Sequence, residues 1–164
     1  MTSWATTVPP FSGARVTVMG LGLFGGGVGV TRYLARRGAQ VTVTDLRNED
    51  QLAESIHALK DLPVSFHLGE HVEEDFRNAD LVVVNPAVPE NSPWLAKAKC
   101  LESELNLFLK LCPSKKIVGI TGSNGKTTTT SLTGEMIRHA GEVVYVGGNI
   151  GGSLLDSVDQ MTPE

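Results

Sequence analysis

Two short glycine-rich stretches hold the residues whose types and spacing suit chemistry. In "GITGSNGKTTTT", Gly122 and Gly125 flank Ser123 and Asn124, a pattern that lets backbone N–H groups turn inward as an anion nest. Lys126 then follows within reach of β- and γ-phosphates, and the hydroxyl of Thr127 suits the Mg2+ shell that accompanies them, with Thr128 beside it. The strict phosphate-loop spacing is GxxxxGK[ST]. Here Gly125-Lys126-Thr127 meet its end, while Ile120 stands where its first glycine belongs. The other stretch, "GLGLFG", places Gly20, Gly22 and Gly25 in the GxGxxG spacing. In that pattern Gly20 permits a tight turn, Gly22 a close ligand approach and Gly25 close helix–strand packing. Asp45 lies about 20 residues further on, where dinucleotide folds put a ribose-binding carboxylate. A nicotinamide dinucleotide and a UDP-sugar both fit this turn.

Such loops work only between a strand and a helix, because the ligand anion sits over the free N–H groups of the helix N-terminus. The flanking sequence supplies both. "RVTVM" before Gly20 is β-branched, and "VGVTRYLARRG" after it has helical spacing with Gly38 as a stop. "QVTVTD" (40–45) and "VSFHLG" (64–69) read as strands, residues 50–60 as a helix, and "ADLVVVN" (79–85) as a strand covered on both faces. Pro86, Pro89 and Pro93 enforce a loop that leads to a short helix through Lys99. "SELNLFLKLC" (103–112) is an amphipathic helix ended by Pro113. Residues 115–121 and 142–147 read as strands around a helix from Lys126 to His139. Strands alternating with helices predict an α/β fold: a Rossmann-like parallel sheet over residues 1–101, then the opening of a P-loop ATPase unit over 102–164.

The 164 residues carry a net charge of −4 with 41% hydrophobic and 20% charged residues. That composition suits a folded globular chain and gives no basic surface for a nucleic-acid polyanion. Cys100 and Cys112, with no CxxC pair, read as reduced thiols. No basic n-region precedes an apolar run and no stretch nears the ~20 apolar residues of a spanning helix, so a cytoplasmic location away from membranes is expected. His67 and His71 in "HLGEH" read as surface histidines, Glu73-Glu74-Asp75 as a solvated helix start, and Trp4 and Trp94 as packing or edge residues without a stacking platform.

The loop "GITGSNGKTTTTSLTGEM" resembles the ATP loop of the Mur ligase family, which lacks the same early glycine. "VGGNIGGSLLD", "VTVMGLGLFGGGVGVTRYLARRGAQVTVTD" and "LVVVNPAVPENSPWL" are similar to further stretches of that family, so the resemblance spans residues 14–156. It is strongest to the branch that adds D-glutamate to UDP-N-acetylmuramoyl-L-alanine in peptidoglycan precursor synthesis. The resemblance implies ATP and Mg2+ as cofactors and an acyl phosphate on the way to the amide. By motif, Leu23 and Phe24 with Asp45, Leu46 and Arg47 would hold the uridine diphosphate end, and Ala87 would line the uracil pocket. Asn149 would touch the substrate near the reacting end. Gly122, Ser123, Asn124, Gly125, Lys126, Thr127 and Thr128 would hold ATP, with Lys126 stabilising the transferred phosphoryl group and Thr127 binding magnesium.

Three departures accompany the resemblance. The family's carboxylate magnesium ligand, modified lysine, histidine and third domain have no counterpart in the sequence, so the chain reads as an N-terminal fragment unable to turn over alone. Two such fragments could complete each other's sheets by swapping. "KAKCLESELNLF" looks short by the strand that usually precedes the helix at 103–110. Phe24 replaces a small polar residue, which implies a diphosphate contact through backbone only. A non-catalytic nucleotide-binding module and an NAD-dependent oxidoreductase domain are the competing readings.

Overall fold

A computed structural model describes residues 11–22, 25–148 and 150–163. The sheet has five parallel strands: β1 (Arg15–Met19), β2 (Gln40–Asp45), β3 (Val64–Leu68), β4 (Leu81–Val84) and β5 (Leu101–Glu102). Their spatial order is β3-β2-β1-β4-β5. β1 is central, with Val18 beside Val43 of β2 and Val83 of β4. The helices are α1 (Gly26–Arg36), α2 (Ala53–His57), α3 (Glu73–Arg77), α4 (Glu104–Leu111) and α5 (Lys126–His139). Short 3-10 turns lie at Leu95–Lys97, Leu154–Asp156 and Val158–Gln160.

The apolar run of β4 has its physical cause in two-sided burial. Leu81 and Val83 join Val16, Val18, Val41 and Val43 in the main core, under Val30 and Leu34 of α1. Val82 faces the other way, into a smaller cluster with Met19, Phe76 and Ala79. The strand expected to be missing before α4 exists as the two residues of β5, paired to β4 at Val82–Leu101 and Val83–Glu102. Ser103 then caps α4, its hydroxyl accepting from the Asn106 amide at 3.1 Å. Leu107 and Phe108 of α4, and Leu155 and Val158 beyond it, are buried in the same core as α1. Arg32 pairs with Asp156 at 2.8 Å, and Arg37 with Asp159, fastening that segment to α1.

Two expected strands do not form. Residues 115–121 and 142–147 have no ladder partner among the described residues. Val118 is 69% exposed and Val143 83%. β-propensity expresses fit to a pleated, half-buried surface, and neither segment has such a surface beside it. α5 is similarly exposed and buries only Gly134, where an added Cβ would come within 2.7 Å of Val146. The helix expected through Lys99 is reduced to the Leu95–Lys97 turn.

Candidate functional site

The carboxyl ends of β1 and β4 face a crevice, because the chain leaves β1 toward β2 on one side and reaches β4 on the other. This switch point is where open α/β sheets bind ligands. A cavity of about 1310 Å³ opens there. It is lined by Gly20, Gly22 and Gly26, by Asp45, Leu46 and Arg47 after β2, and by His71 after β3. The Asn85–Pro89 segment, Trp94 and Glu104 close it. The substrate-end residues expected from the sequence, Asp45, Leu46, Arg47 and Ala87, are therefore brought together. Leu23, Phe24 and Asn149 lie outside the described residues, although Gly148 reaches the cavity.

Asp45 has a task in the fold. Its buried carboxylate accepts from the amides of Leu21 (2.9 Å) and Gly22 (3.4 Å), and its second oxygen from the amide of Arg47 (2.9 Å). It thereby clamps the glycine turn to the end of β2. The Ser55 hydroxyl donates to the Gly22 carbonyl at 3.0 Å from a third element.

The glycines divide their work differently from the expectation. Gly20 lies against Asn85, whose Cβ would be 2.9 Å from an added methyl group. Gly25 has open space around it; its role is conformational, with φ at 89° at the N-cap of α1. Close helix–strand packing belongs instead to Gly27, where a Cβ would meet the carbonyl of Leu21 and lie 2.7 Å from that of Gly20.

Glu104 stands at the first residue of α1, with Oε2 2.8 Å from where a Gly26 Cβ would be, and accepts from the Ser153 hydroxyl. Burial raises its pKa, partly offset by Ser153 and reinforced by Asp156. The folded chain thus keeps this proton at a pH where the unfolded chain has released it. Stability accordingly falls as pH rises from the ordinary glutamate range through the raised value. Glu104→Gln, which keeps an acceptor for Ser153, is expected to unfold at a higher temperature than the parent at pH 8. The difference should close in acid; melting curves across pH check it, and a gap independent of pH would contradict it.

Trp94 packs as expected, while His71 departs from the surface reading and meets two aromatic rings. His71 is half-buried, its Nδ1 2.7 Å from the Thr44 hydroxyl. Trp94 stacks on Phe76 at 5.3 Å, and His71 meets both rings edge-on. The signal available was position: a residue just past a parallel strand stands at the ligand edge of the sheet. His67 is half-exposed and pairs with Asp75 at 2.6 Å. Asp75 is itself largely buried and also accepts, through its carbonyl, from Thr17 at 2.6 Å. Of the acidic helix start, only Glu73 and Glu74 keep to the solvated edge of α3.

The second loop lies apart from this cavity. Gly125 is the N-cap of α5 at φ 75°, so Lys126, Thr127 and Thr128 form the helix's first turn. The Lys126 ammonium folds back to donate to the carbonyls of Gly122 and Ser123. Residues 122–128 are all exposed. Among the described residues, no cluster of three His, Cys, Asp or Glu could hold a metal ion. None of their helices is long and apolar enough to cross a membrane.

Residues 14–105 match the Mur ligase MurD-like N-terminal domain, which is more than half of the chain. The chain belongs to the Mur ligase family. Residues 120–164 match the Mur ligase middle domain. A UDP-N-acetylmuramoylalanine–D-glutamate ligase of Roseiflexus sp. (strain RS-1) is 49% identical over 155 residues, covering 92% of this chain and 33% of that protein. The ligase of the same name from Geobacter metallireducens is 46% identical over 151 residues, covering 90% and 33%. The chain therefore spans about a third of the length of these Mur ligases. The fold is similar to that of the solved UDP-N-acetylmuramate:L-alanyl-gamma-D-glutamyl-meso-diaminopimelate ligase from Neisseria meningitides. The TM-score is 0.55 at 19% identity, over 87% of this chain and 46% of that one.

Proposed function

We propose that this chain carries the UDP-sugar site and the ATP loop of a cytoplasmic ligase that joins D-glutamate to UDP-N-acetylmuramoyl-L-alanine. The observation that carries the reading is the switch-point cavity, which gathers the glycine turn, Asp45, Leu46, Arg47 and Ala87 in a chain 49% identical to a ligase of that name. Residues 1–101 form the substrate unit in this reading, and 102–164 open the ATP unit, with α4 serving both by packing into the first unit's core. Leu23 and Phe24 meet the diphosphate, and Asn149 the reacting end.

The substrate carboxylate takes the γ-phosphoryl group of ATP and releases ADP; the D-glutamate amine then displaces phosphate from that acyl phosphate. This chain's contribution to the transfer is electrostatic. Amides of the 122–128 loop and the N-terminus of α5 hold phosphate oxygens, and Lys126 swings from its own loop carbonyls onto the transferred group. The loop fits a nucleotide triphosphate because Gly125 leaves the helix N-terminus uncovered. For Mg2+ it offers the Thr127 hydroxyl, the remaining ligands coming from phosphates, water and carboxylates elsewhere, as is usual for this ion.

Calorimetric titration tests both halves. UDP-N-acetylmuramoyl-L-alanine and Mg·ATP should bind independently, and Lys126→Ala should weaken ATP by more than about tenfold, the loss of one charge-assisted contact, while sparing the UDP-sugar. Tight NAD binding with no UDP-sugar binding would overturn the reading in favour of a dinucleotide oxidoreductase domain.

A further inference from the structure

We propose that His71 is a specificity-determining residue of the switch-point cavity, donating from Nε2–H to the carbonyl oxygen on C4 of the pyrimidine base of a nucleoside diphosphate. The inference rests on the reading of that cavity as a UDP-sugar site and adds what selects the base.

The ring is held from three sides. Thr44, which is fully buried, lies 2.7 Å from Nδ1. Phe76 and Trp94 meet the imidazole edge-on, with centroids at 5.8 and 5.6 Å and interplanar angles of 87° and 71°. The stack of Phe76 on Trp94 at 5.3 Å holds those two rings in place in turn.

The proposed contact needs the tautomer in which Thr44 donates to the ring. A separation of 2.7 Å suits a hydroxyl donor better than an N–H donor, whose bonds centre near 2.9–3.0 Å. The other acceptor open to the Thr44 hydroxyl, the Glu70 carbonyl, is 3.5 Å away. With Thr44 donating to the nearer acceptor Nδ1, the proton of the neutral ring sits on Nε2. Burial lowers the pKa of His71 against the pull of Asp45 and Asp75, which keeps the ring neutral near pH 7. Nε2 has no partner among the described residues, and the residue lines the same cavity as the apolar Pro86–Pro89 segment.

One fixed N–H donor beside an apolar wall accepts a ring carbonyl and rejects an amino group, which would leave two donors facing each other. Uracil and cytosine share the carbonyl on C2; at C4 uracil carries a second carbonyl and cytosine an amino group, so the selection lies at C4.

The test is titration of the full chain and its variants with UDP and with CDP. The parent should bind UDP about tenfold more tightly than CDP. His71→Leu should lose that factor for UDP while CDP changes little, so the preference collapses. His71→Gln, which restores an N–H donor at similar reach, should recover part of it and guards against a variant that misfolds. Equal losses for both nucleotides, or a UDP preference unchanged in His71→Leu, would overturn the assignment. A parent chain that binds neither nucleotide would overturn the cavity reading and this inference together, a result distinct from a lost preference alone.

Discussion

Gly27→Ala is expected to destabilise the chain by about 2 kcal/mol net, and to lower its melting temperature by roughly 6 °C for a domain of this size. Two effects compete at this position. Alanine gains at most about 1 kcal/mol over glycine from helix propensity at Gly27, the second residue of α1. Against that, the new Cβ would meet the Leu21 carbonyl and lie 2.7 Å from the Gly20 carbonyl. Both obstacles are backbone atoms of the turn that Asp45 clamps, so they cannot swing aside as a side chain would. Overpacking of this kind costs about 3 kcal/mol, and sterics win. The matched comparison is Gly25→Ala, where nothing lies within 4 Å and only the left-handed conformation at φ 89° is strained. That cost is about 1–2 kcal/mol. Melting curves of the two variants separate close packing from conformation, and a stabilised Gly27→Ala would remove the packing argument.

Asp45→Ala should cost about 3 kcal/mol and loosen the glycine turn. The carboxylate accepts three backbone amides, those of Leu21, Gly22 and Arg47, and lies 3.5 Å from the Arg47 guanidinium. Hydrogen bonds to an ionised acceptor contribute about 1.5–3 kcal/mol each, and their losses overlap when one group is removed. The Leu21 amide is buried and would be left without an acceptor. Asp45→Asn retains one oxygen and should lose about half as much. Urea denaturation measures the stability, and hydrogen exchange at the amides of Leu21 and Gly22 reports the turn directly. An Asp45→Ala chain with unchanged stability and lost UDP affinity would return the carboxylate to the ribose-binding role that spacing alone suggests.

Much of the fold was legible because periodicity reports burial directly. The run of β4 is apolar on both faces since both are covered, the valines of β1 and β2 alternate with threonines and face the main core, and α1, α4 and α5 begin and end within a residue or two of their caps. The failures at 115–121 and 142–147 have the opposite cause: a strand is completed by its neighbour, and no sequence window contains the neighbour. The same reasoning separates Gly25 from Gly27. Spacing marks a glycine-rich turn, but which glycine touches backbone depends on how steeply α1 leaves the sheet.

His71, Trp94, Asn85 and Glu104 come to the cavity from three different segments, those after β3, β4 and β5, and each looks ordinary in its own stretch. By itself the sequence determined the parallel α/β architecture, the two glycine loops and the family, since these reside in local patterns of apolar residues and glycines. Only the tertiary structure decided that Asp45 is occupied in holding the turn and that α4 and Leu155 close the first unit's core. It also placed a neutral histidine beside an aromatic stack at the ligand edge. Those outcomes depend on hydrogen bonds and contacts between segments as much as 124 residues apart, the separation of the Arg32–Asp156 pair, which exist only once the sheet has brought the segments together.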